Sequence, residues 1–353
     1  NNIAVGYGAL DANTTASNNT AVGTSALGAN TTGADNSALG YLSLDTNTTG
    51  ANNTGVGVRA LQSSTTADGN TAVGHSALLA NTTGSSNSSL GLNSLYGNTT
   101  GANNTAVGRS ALQSNTTAAN NVAMGYGALQ LNTTGANNVA LGALALDANT
   151  TAANNTAVGY ASLGANTTGT ANIAMGFGAL DANTTASNNT ALGYNALTTN
   201  ITGINNTAVG GSALGSVLND GNTAVGLSAG AGITSGQYNT TIGLVSMTAA
   251  VYTGSYNSSI GYNANPSAAD SAGQFTLGDA NISNLRCNDQ SIAALSDSRD
   301  KTNVIDSPYG LNFINTVRPV QFLWDTRDGN VKDGSTRIGF IAQEQLAATS
   351  GNN

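Results

Sequence analysis

The amino-acid sequence predicts an all-β fold in which a repetitive β-solenoid, or β-roll, takes up most of the chain. Glycines recur every 17 residues from Gly6 to Gly210, and the interval then becomes 16, 17, 18 and 17 residues up to Gly278. This period is too short for a pair of helices, and Gly and Asn punctuate short apolar segments within each unit. Only 7% of residues are charged and 39% are hydrophobic, which favours a regular repeat over disorder.

One repeat runs from Asn19 to Gly33 and predicts two short strands per coil. Alternation along the first strand places Thr20 and Val22 on one side and Ala21 on the other. Because Ile or Val replaces Thr20 in several other coils, we expect that side to face the interior together with Leu27. Ala21 would then allow close approach of a neighbouring subunit.

Three positions of the repeat have a structural interpretation. The glycine column predicts a tight bend or a positive φ. The columns of Asn19 and Asn30 predict side-chain amide ladders that satisfy backbone groups at the turns. With coils about 4.8 Å apart, fifteen or so coils form a rod of roughly 70 Å.

Composition excludes several classes of function. Between residues 1 and 290 there is no Lys, and the net charge of the chain is -8, so we expect no nucleic-acid partner. Cys287 is the only cysteine and His75 the only histidine, so we expect no intrachain disulfide, metal or cofactor. We expect no membrane insertion, and we expect a longer parent protein with a further N-terminal part.

The position after each glycine varies strongly and includes bulky side chains in register. Tyrosines with occasional Arg and His could stack on sugar rings, or the column could pack against a second subunit. The candidate receptor-binding residues are Tyr7, Tyr41, Tyr126, Tyr160 and Tyr194.

An isolated coil of this composition leaves apolar surface exposed, and homotrimerisation is a natural way to cover it. The repeat resembles the Asn-Ser-Val-Ala-Ile-Gly repeats of trimeric autotransporter adhesin heads, over residues 1 to about 262. That resemblance implies a trimer of β-rolls. The unit of those heads is commonly shorter, so the additional residues around Asn-Thr-Thr imply a longer turn.

The composition changes after residue 290, where both lysines, the only Trp and the only Glu occur. Three blocks, 296–301, 310–322 and 339–344, resemble the C-terminal intramolecular chaperone of endosialidase tailspikes and phage tail fibres. The resemblance implies trimerisation followed by cleavage before Ser296, with Ser296 as the nucleophile and Lys301 as its general base. Asp300 departs from the family pattern and would favour the charged form of Lys301.

Together these features predict a homotrimeric β-solenoid shaft at 1–262, a transition or linker at 263–290 and the start of a small α+β chaperone segment at 291–353. The expected function is that of a phage tail fibre subunit, extracellular on the virion, which binds a host receptor such as a glycan. Other virion tail proteins would bind its N-terminal part. Enzymatic activity would be at most a single self-cleavage.

Two alternatives are a bacterial trimeric surface adhesin head and an ice-binding solenoid. The second rests on the paired threonines that repeat along the chain, such as Thr14–Thr15 and Thr31–Thr32.

Overall fold

A computed structural model describes residues 1–249, 251–284, 319–325, 332–339 and 341. The chain divides into two compact units, Asn1–Leu285 and Arg286–Asn353. No α-helix occurs in the part of the chain that the structure describes.

The first unit is a parallel β-solenoid in which each coil contributes one three-residue strand to a single long sheet. Its strands are β1 Ile3–Val5, β2 Thr20–Val22, β3 Ser37–Leu39, β4 Thr54–Val56, β5 Thr71–Val73, β6 Ser88–Leu90, β7 Thr105–Val107, β8 Val122–Met124, β9 Val139–Leu141, β10 Thr156–Val158, β11 Ile173–Met175, β12 Thr190–Leu192, β13 Thr207–Val209, β14 Thr223–Val225, β15 Thr240–Ile242, β16 Ser258–Ile260 and β17 Phe275–Leu277. The predicted solenoid is therefore confirmed.

Each strand pairs with the strand of the next coil, so that equivalent positions of successive repeats lie side by side. Ile3 pairs with Thr20, and Thr20 pairs with Ser37. The sheet continues through β17, which lies within the segment 263–290 that the sequence analysis assigns to a transition. The stacked coils extend over roughly 75 Å at the usual spacing of strands.

The second segment of each coil differs from the prediction, because it is a run of turns and not a strand. Leu27 has a φ of 53°, in the left-handed region, which an extended strand does not allow. Ala26 and Asn30 donate backbone hydrogen bonds three residues back, to Gly23 and Leu27. The Leu27 N–H still bonds to the next coil, at Ser43 O. Complete burial of the leucine side chain offsets the conformational cost of this backbone.

The interior face of the sheet is also the opposite of the one predicted. Ala21 is completely buried and belongs to the hydrophobic core with Ala26 and Leu27, whereas Thr20 and Val22 face outward and are partly exposed. Across the described coils the middle residue of the strand is the buried one from β2 to β16. The coil is narrow, so in most coils the apolar interior holds one leucine and two small side chains. The larger Thr241 is buried in the middle of β15, where Gly230 takes the place of the core leucine and an added Cβ would lie 3.0 Å from Thr241 Cγ2.

The glycine that ends each strand makes the bend predicted from the sequence. Gly23 has a φ of +135°, and a Cβ added to it would lie 2.5 Å from the carbonyl oxygen of Gly40. The same close approach recurs in the neighbouring coils. Any side chain here would therefore clash with the backbone of the next coil.

Two ladders of buried asparagines run through the interior, as the sequence predicts. The Asn19 Oδ1 atom accepts the backbone N–H of Asn36 in the next coil at 2.9 Å, and this bond repeats along the solenoid. In the second ladder the Asn47 side-chain amide donates to Asn30 Oδ1 at 2.9 Å. Both asparagines of a coil donate to one carbonyl, since Asn19 and Asn30 each bond to Gly33 O. The ladders satisfy backbone groups that burial would otherwise leave unpaired.

The second ladder is interrupted where Ser64 takes the place of asparagine. Asn47 Oδ1 and Ser64 Oγ are buried without a hydrogen-bond partner there. Serine is too short to span the distance between coils that the amide spans elsewhere in the ladder.

The described part of the second unit is an antiparallel pair, β18 Val320–Asp325 and β19 Lys332–Gly339. The register shifts between Leu323 and Asp325. The two strands agree with the β portion of the α+β segment expected at 291–353.

A serine and a glycine that contact each other in the interior provide a test of the narrow core. Ser43 replaces the usual alanine, and Gly55 lies against it in the next coil, with Ser43 Oγ donating to Gly55 O at 2.9 Å. A Cβ added to Gly55 would lie 2.6 Å from Ser43 Oγ. We expect Gly55→Ala to lower the free energy of unfolding by about 1 kcal/mol, because the Ser43 hydroxyl must leave Gly55 O and turn to Gly40 O, the bond that Ser94 and Ser162 make in their coils.

The double variant Ser43→Ala/Gly55→Ala has the alanine pair found in most other coils and should recover most of that loss, with a coupling energy of about 0.5 kcal/mol or more. Chemical denaturation of the wild type, both single variants and the double variant measures it. Additive effects would mean that the two positions do not share a limiting space.

Candidate functional site

The outer face of the long sheet carries a continuous apolar stripe, which we call the outer apolar column. It consists of the third residue of each strand, namely Val5, Val22, Leu39, Val56, Val73, Leu90, Val107, Met124, Leu141, Val158, Met175, Leu192, Val209, Val225, Ile242, Ile260 and Leu277. Many are substantially exposed, among them Leu39 at 50% and Met124 at 44%. The first residues of the same strands are Thr, Ser, Val, Ile or Phe, so this face of the sheet is uncharged over its whole length.

The sequence-based prediction that the valine side of the strand faces the interior is wrong, and it hides this stripe. The signal that could have revealed it is the size of the alternating residues. Alanine, glycine or serine occupies the middle of nearly every strand, and only small residues suit the interior of so narrow a coil. Exposed apolar stripes of this extent mark interaction surfaces on soluble proteins.

The position after each bend glycine forms a second line, the post-glycine column. Tyr41, Tyr126, Tyr160 and Tyr194 are each about half exposed, and Tyr7 is 87% exposed. The structure therefore places all five candidate receptor-binding residues on the surface and in register along one side of the solenoid.

Three members of the post-glycine column form a continuous aromatic stack. The ring centroids of Tyr160 and Phe177 are 5.3 Å apart, those of Phe177 and Tyr194 are 5.4 Å apart, and each pair is inclined by 15°. Further along the column, the Arg109 guanidinium carbon lies 5.8 Å from the centroid of the Tyr126 ring. Such rings can stack on a ligand or on a subunit.

The paired threonines form a different column, and one hydroxyl of each pair is used within the coil stack. Thr31 Oγ1 donates to Thr48 O, and Thr48 Oγ1 donates to Thr65 O, both at 3.0 Å. The adjacent Thr32 is exposed. One of the two hydroxyls in such a threonine pair, on which the ice-binding alternative rests, therefore already donates to a backbone carbonyl.

Aspartates converge around a glycine on another side of the coil. A Cβ added to Gly164 would lie 2.8 Å from Asp181 Oδ1 and 3.6 Å from Asp147 Oδ1. Burial raises the pKa of Asp147, the negative charge of Asp181 raises it further, and backbone hydrogen bonds oppose both effects. Burial likewise raises the pKa of Asp181.

The described residues contain no group of three or more His, Cys, Asp or Glu side chains placed to hold a metal ion. His75 contacts Ser76, whose Oγ lies 3.0 Å from His75 Nδ1. Among the same residues no helix is long and apolar enough to cross a membrane.

The predicted cleavage residues Ser296 and Lys301 lie outside the described residues. Residues 296–349 match the protein family described as chaperone of endosialidase. The resemblance inferred from the three C-terminal sequence blocks is therefore confirmed for this segment, and the match begins at Ser296. No curated protein and no solved structure gives a significant match to the chain.

The raised pKa of Asp147 predicts a stability that depends on pH. Because the folded state holds the carboxyl proton more tightly than the unfolded chain does, stability falls as the pH rises above the ordinary carboxyl value of 3.8. Asp147→Asn should therefore raise the midpoint of thermal unfolding at pH 7 and leave it unchanged in acid, where the carboxyl is protonated.

Circular dichroism melts at several pH values check this prediction. Asp270→Asn, at an exposed position of the same unit, is the matched control. Equal shifts for the two variants would assign the effect to net charge and not to the burial of Asp147.

Proposed function

We propose that this chain is a subunit of a homotrimeric phage tail fibre, in which the solenoid is the shaft and the C-terminal segment is an assembly chaperone. The observation that carries the proposal is the match of residues 296–349 to the chaperone of endosialidase family, directly downstream of a long repetitive β-solenoid. The domain boundaries proposed from the sequence are 1–262, 263–290 and 291–353.

The subunit interface in this proposal is the outer apolar column. A stripe roughly 75 Å long and about 10 Å wide offers roughly 800 Å² on each copy, close to what one partner of a stable protein complex buries. The face carries no charge that would oppose contact with an identical copy. A partner with the same spacing of coils can match the stripe along its full length, and a second copy of the chain has that spacing.

The post-glycine column adjoins this interface in sequence, since one glycine separates its residues from the outer apolar column. Tyr7, Tyr41, Tyr126, Tyr160 and Tyr194 then either seal the edge of the subunit contact or stack on sugars of a host receptor. Their exposure in the single chain is compatible with both roles.

The proposed chaperone solves a problem of register. Successive coils are so alike that a slip by one repeat between three chains costs little, and a trimer formed first at the C-terminal end fixes the alignment. Cleavage before Ser296, with Ser296 as nucleophile and Lys301 as base, would then remove the chaperone and make unfolding slow. In this proposal the mature fibre is extracellular, on the virion, with other tail proteins bound to an N-terminal part.

The interface proposal predicts the effect of a charge at the centre of the stripe. Met175 is 40% exposed on the outer apolar column. Met175→Glu should convert the trimer to monomer, because three carboxylates would be desolvated at one level of the interface. Native mass spectrometry measures this. Thr168→Glu, exposed on another side of the same region, is the control and should remain trimeric.

If both variants stay trimeric, the outer apolar column is not the interface. If the wild type is itself monomeric, the fibre proposal loses its main support.

The chaperone proposal predicts self-cleavage. Intact-mass measurement of the wild type should show loss of the fragment that begins at Ser296, and Ser296→Ala should remain whole. A conservative change at a neighbouring serine, Ser298→Ala, should still be cleaved. An uncleaved wild type that is nevertheless trimeric would remove the catalytic roles of Ser296 and Lys301 and leave the shaft proposal standing.

A further inference from the structure

One column of the solenoid changes from small or short polar residues to tyrosine in the last coils. Its backbone is left-handed in every coil, and it contains Asn18, Asp35, Asn52, Gly69, Ser86, Asn103, Asn120, Asn137, Asn154, Ala171, Asn188, Asn205, Gly221, Tyr238, Tyr256 and Gly273. Up to Gly221 the column uses residues that are small or short and polar, most of which tolerate this backbone well. Tyr238 and Tyr256 then occupy it in two successive coils, at φ values of 56° and 63°.

The two tyrosines are held in an unfavourable conformation without the compensation of burial. Leu27 and its equivalents from Leu44 to Leu214 also have a positive φ, but their side chains are completely buried. The exposed Arg59 and the partly exposed Leu42, Leu144 and Val245 have a positive φ in a different column, two residues after the bend glycine, and none of them is aromatic. Tyr238 is 51% exposed and Tyr256 is 66% exposed. A bulky residue kept in the left-handed region at the surface is a feature that points to function and not to stability.

The rings form a short stack with one open end. Their centroids are 5.3 Å apart and the planes are inclined by 20°. The Tyr238 ring lies over Gly221, where an added Cβ would be 2.6 Å from Tyr238 Cδ1. At the other end, in register with Tyr256, a Cβ added to Gly273 would meet no atom within 4 Å. Glycine on both sides therefore makes room for the rings and leaves the outer face of Tyr256 open.

The described coils around the stack carry no positively charged side chain, and the carboxylate of Asp220, beside Gly221, accepts the Ile204 N–H. No Lys or Arg occurs in the sequence between Arg109 and Arg286. Gln237 and Ser255 directly precede the two tyrosines in the sequence, and the Gln237 N–H donates to Ser255 Oγ at 3.0 Å. An open aromatic face bordered by amide, hydroxyl and phenolic groups suits a ligand with an apolar face and hydroxyl edges.

We propose that Tyr238 and Tyr256 form a binding platform for a neutral saccharide, with a sugar ring stacked on the open face of Tyr256. The proposal rests on the host-attachment function proposed above and places its glycan contact here, away from the post-glycine column. In the preceding coils this column carries amides and other short side chains, unlike the apolar stripe that adjoins the post-glycine residues. A saccharide is therefore a better occupant than a second copy of the chain.

The test is binding of the full-length protein to an array of neutral oligosaccharides of hexose, N-acetylhexosamine and deoxyhexose, with sialylated oligosaccharides as the acidic comparison. The wild type should bind neutral glycans, and Tyr256→Asn and Tyr238→Asn should weaken binding by roughly tenfold. Tyr96→Asn, which removes an exposed tyrosine outside the left-handed column, is the matched control and should bind as the wild type does.

Thermal unfolding of the same variants separates a binding role from a structural one. Asparagine relieves the strained backbone, so Tyr256→Asn should melt at the same temperature as the wild type or higher. A lower melting temperature would show that the ring stack stabilises the shaft, and it would overturn the proposal. Absence of neutral-glycan binding by the wild type would overturn it as well.

Two further outcomes separate this site from the proposed function. Loss of binding in Tyr194→Asn with binding retained in Tyr256→Asn would place the glycan on the post-glycine column and overturn the site while supporting the fibre. A monomeric wild type in native mass spectrometry would contradict the fibre, whereas the Tyr256 platform would still be decided by the array.

Discussion

The structure depends on the hydrogen bonds of its interior asparagines. Each coil has its own turn, and the turn leaves backbone groups inside a space too narrow for water to serve them. The Asn19 side chain bonds within its coil to Gly33 O and across to the Asn36 N–H, so one residue both closes a turn and fixes the distance to the next. In a chain with 7% charged residues, this ladder replaces the ion pairs and large apolar cores of ordinary domains.

A ladder of this kind sets the width of the coil, and the width decides which residues can face inward. Alanine on the strand and leucine on the turn segment pack beside the two buried asparagines of each coil and leave little room for larger side chains. The larger valine, leucine and methionine side chains of the strand are thereby forced to the outside, in one continuous line. The apolar surface proposed as the subunit interface is thus a direct consequence of the size of the core.

The periodicity, the strand, the bend glycine and both asparagine ladders could be predicted from the sequence, because each follows from a residue type with a narrow set of uses. Which face of the strand points into the interior could not be predicted. Alternation separates Ala21 from Thr20 and Val22 but does not say which side is inside, and hydrophobicity alone favoured the wrong one. The left-handed conformation of Leu27 was equally hidden, since leucine rarely adopts it and only full burial makes it tolerable. The candidate tyrosines lie on the surface, and their receptor-binding role stays a prediction. The role proposed for Tyr238 and Tyr256 rests on a backbone angle that the sequence does not display.

The irregular coils have a further consequence, because they make individual levels of the solenoid distinguishable. In a stack of identical units any coil could pair with any other, and nothing in the sequence would fix the register. Ser43 donates to Gly55 O in the next coil, whereas Ser94 and Ser162, at the same position of other coils, donate to the bend glycine of their own coil. Ser64 interrupts the second asparagine ladder, which also lacks its bond between Asn183 and Asn200. These departures from the repeat distinguish individual coils of a nearly uniform solenoid, which the repeat itself cannot do.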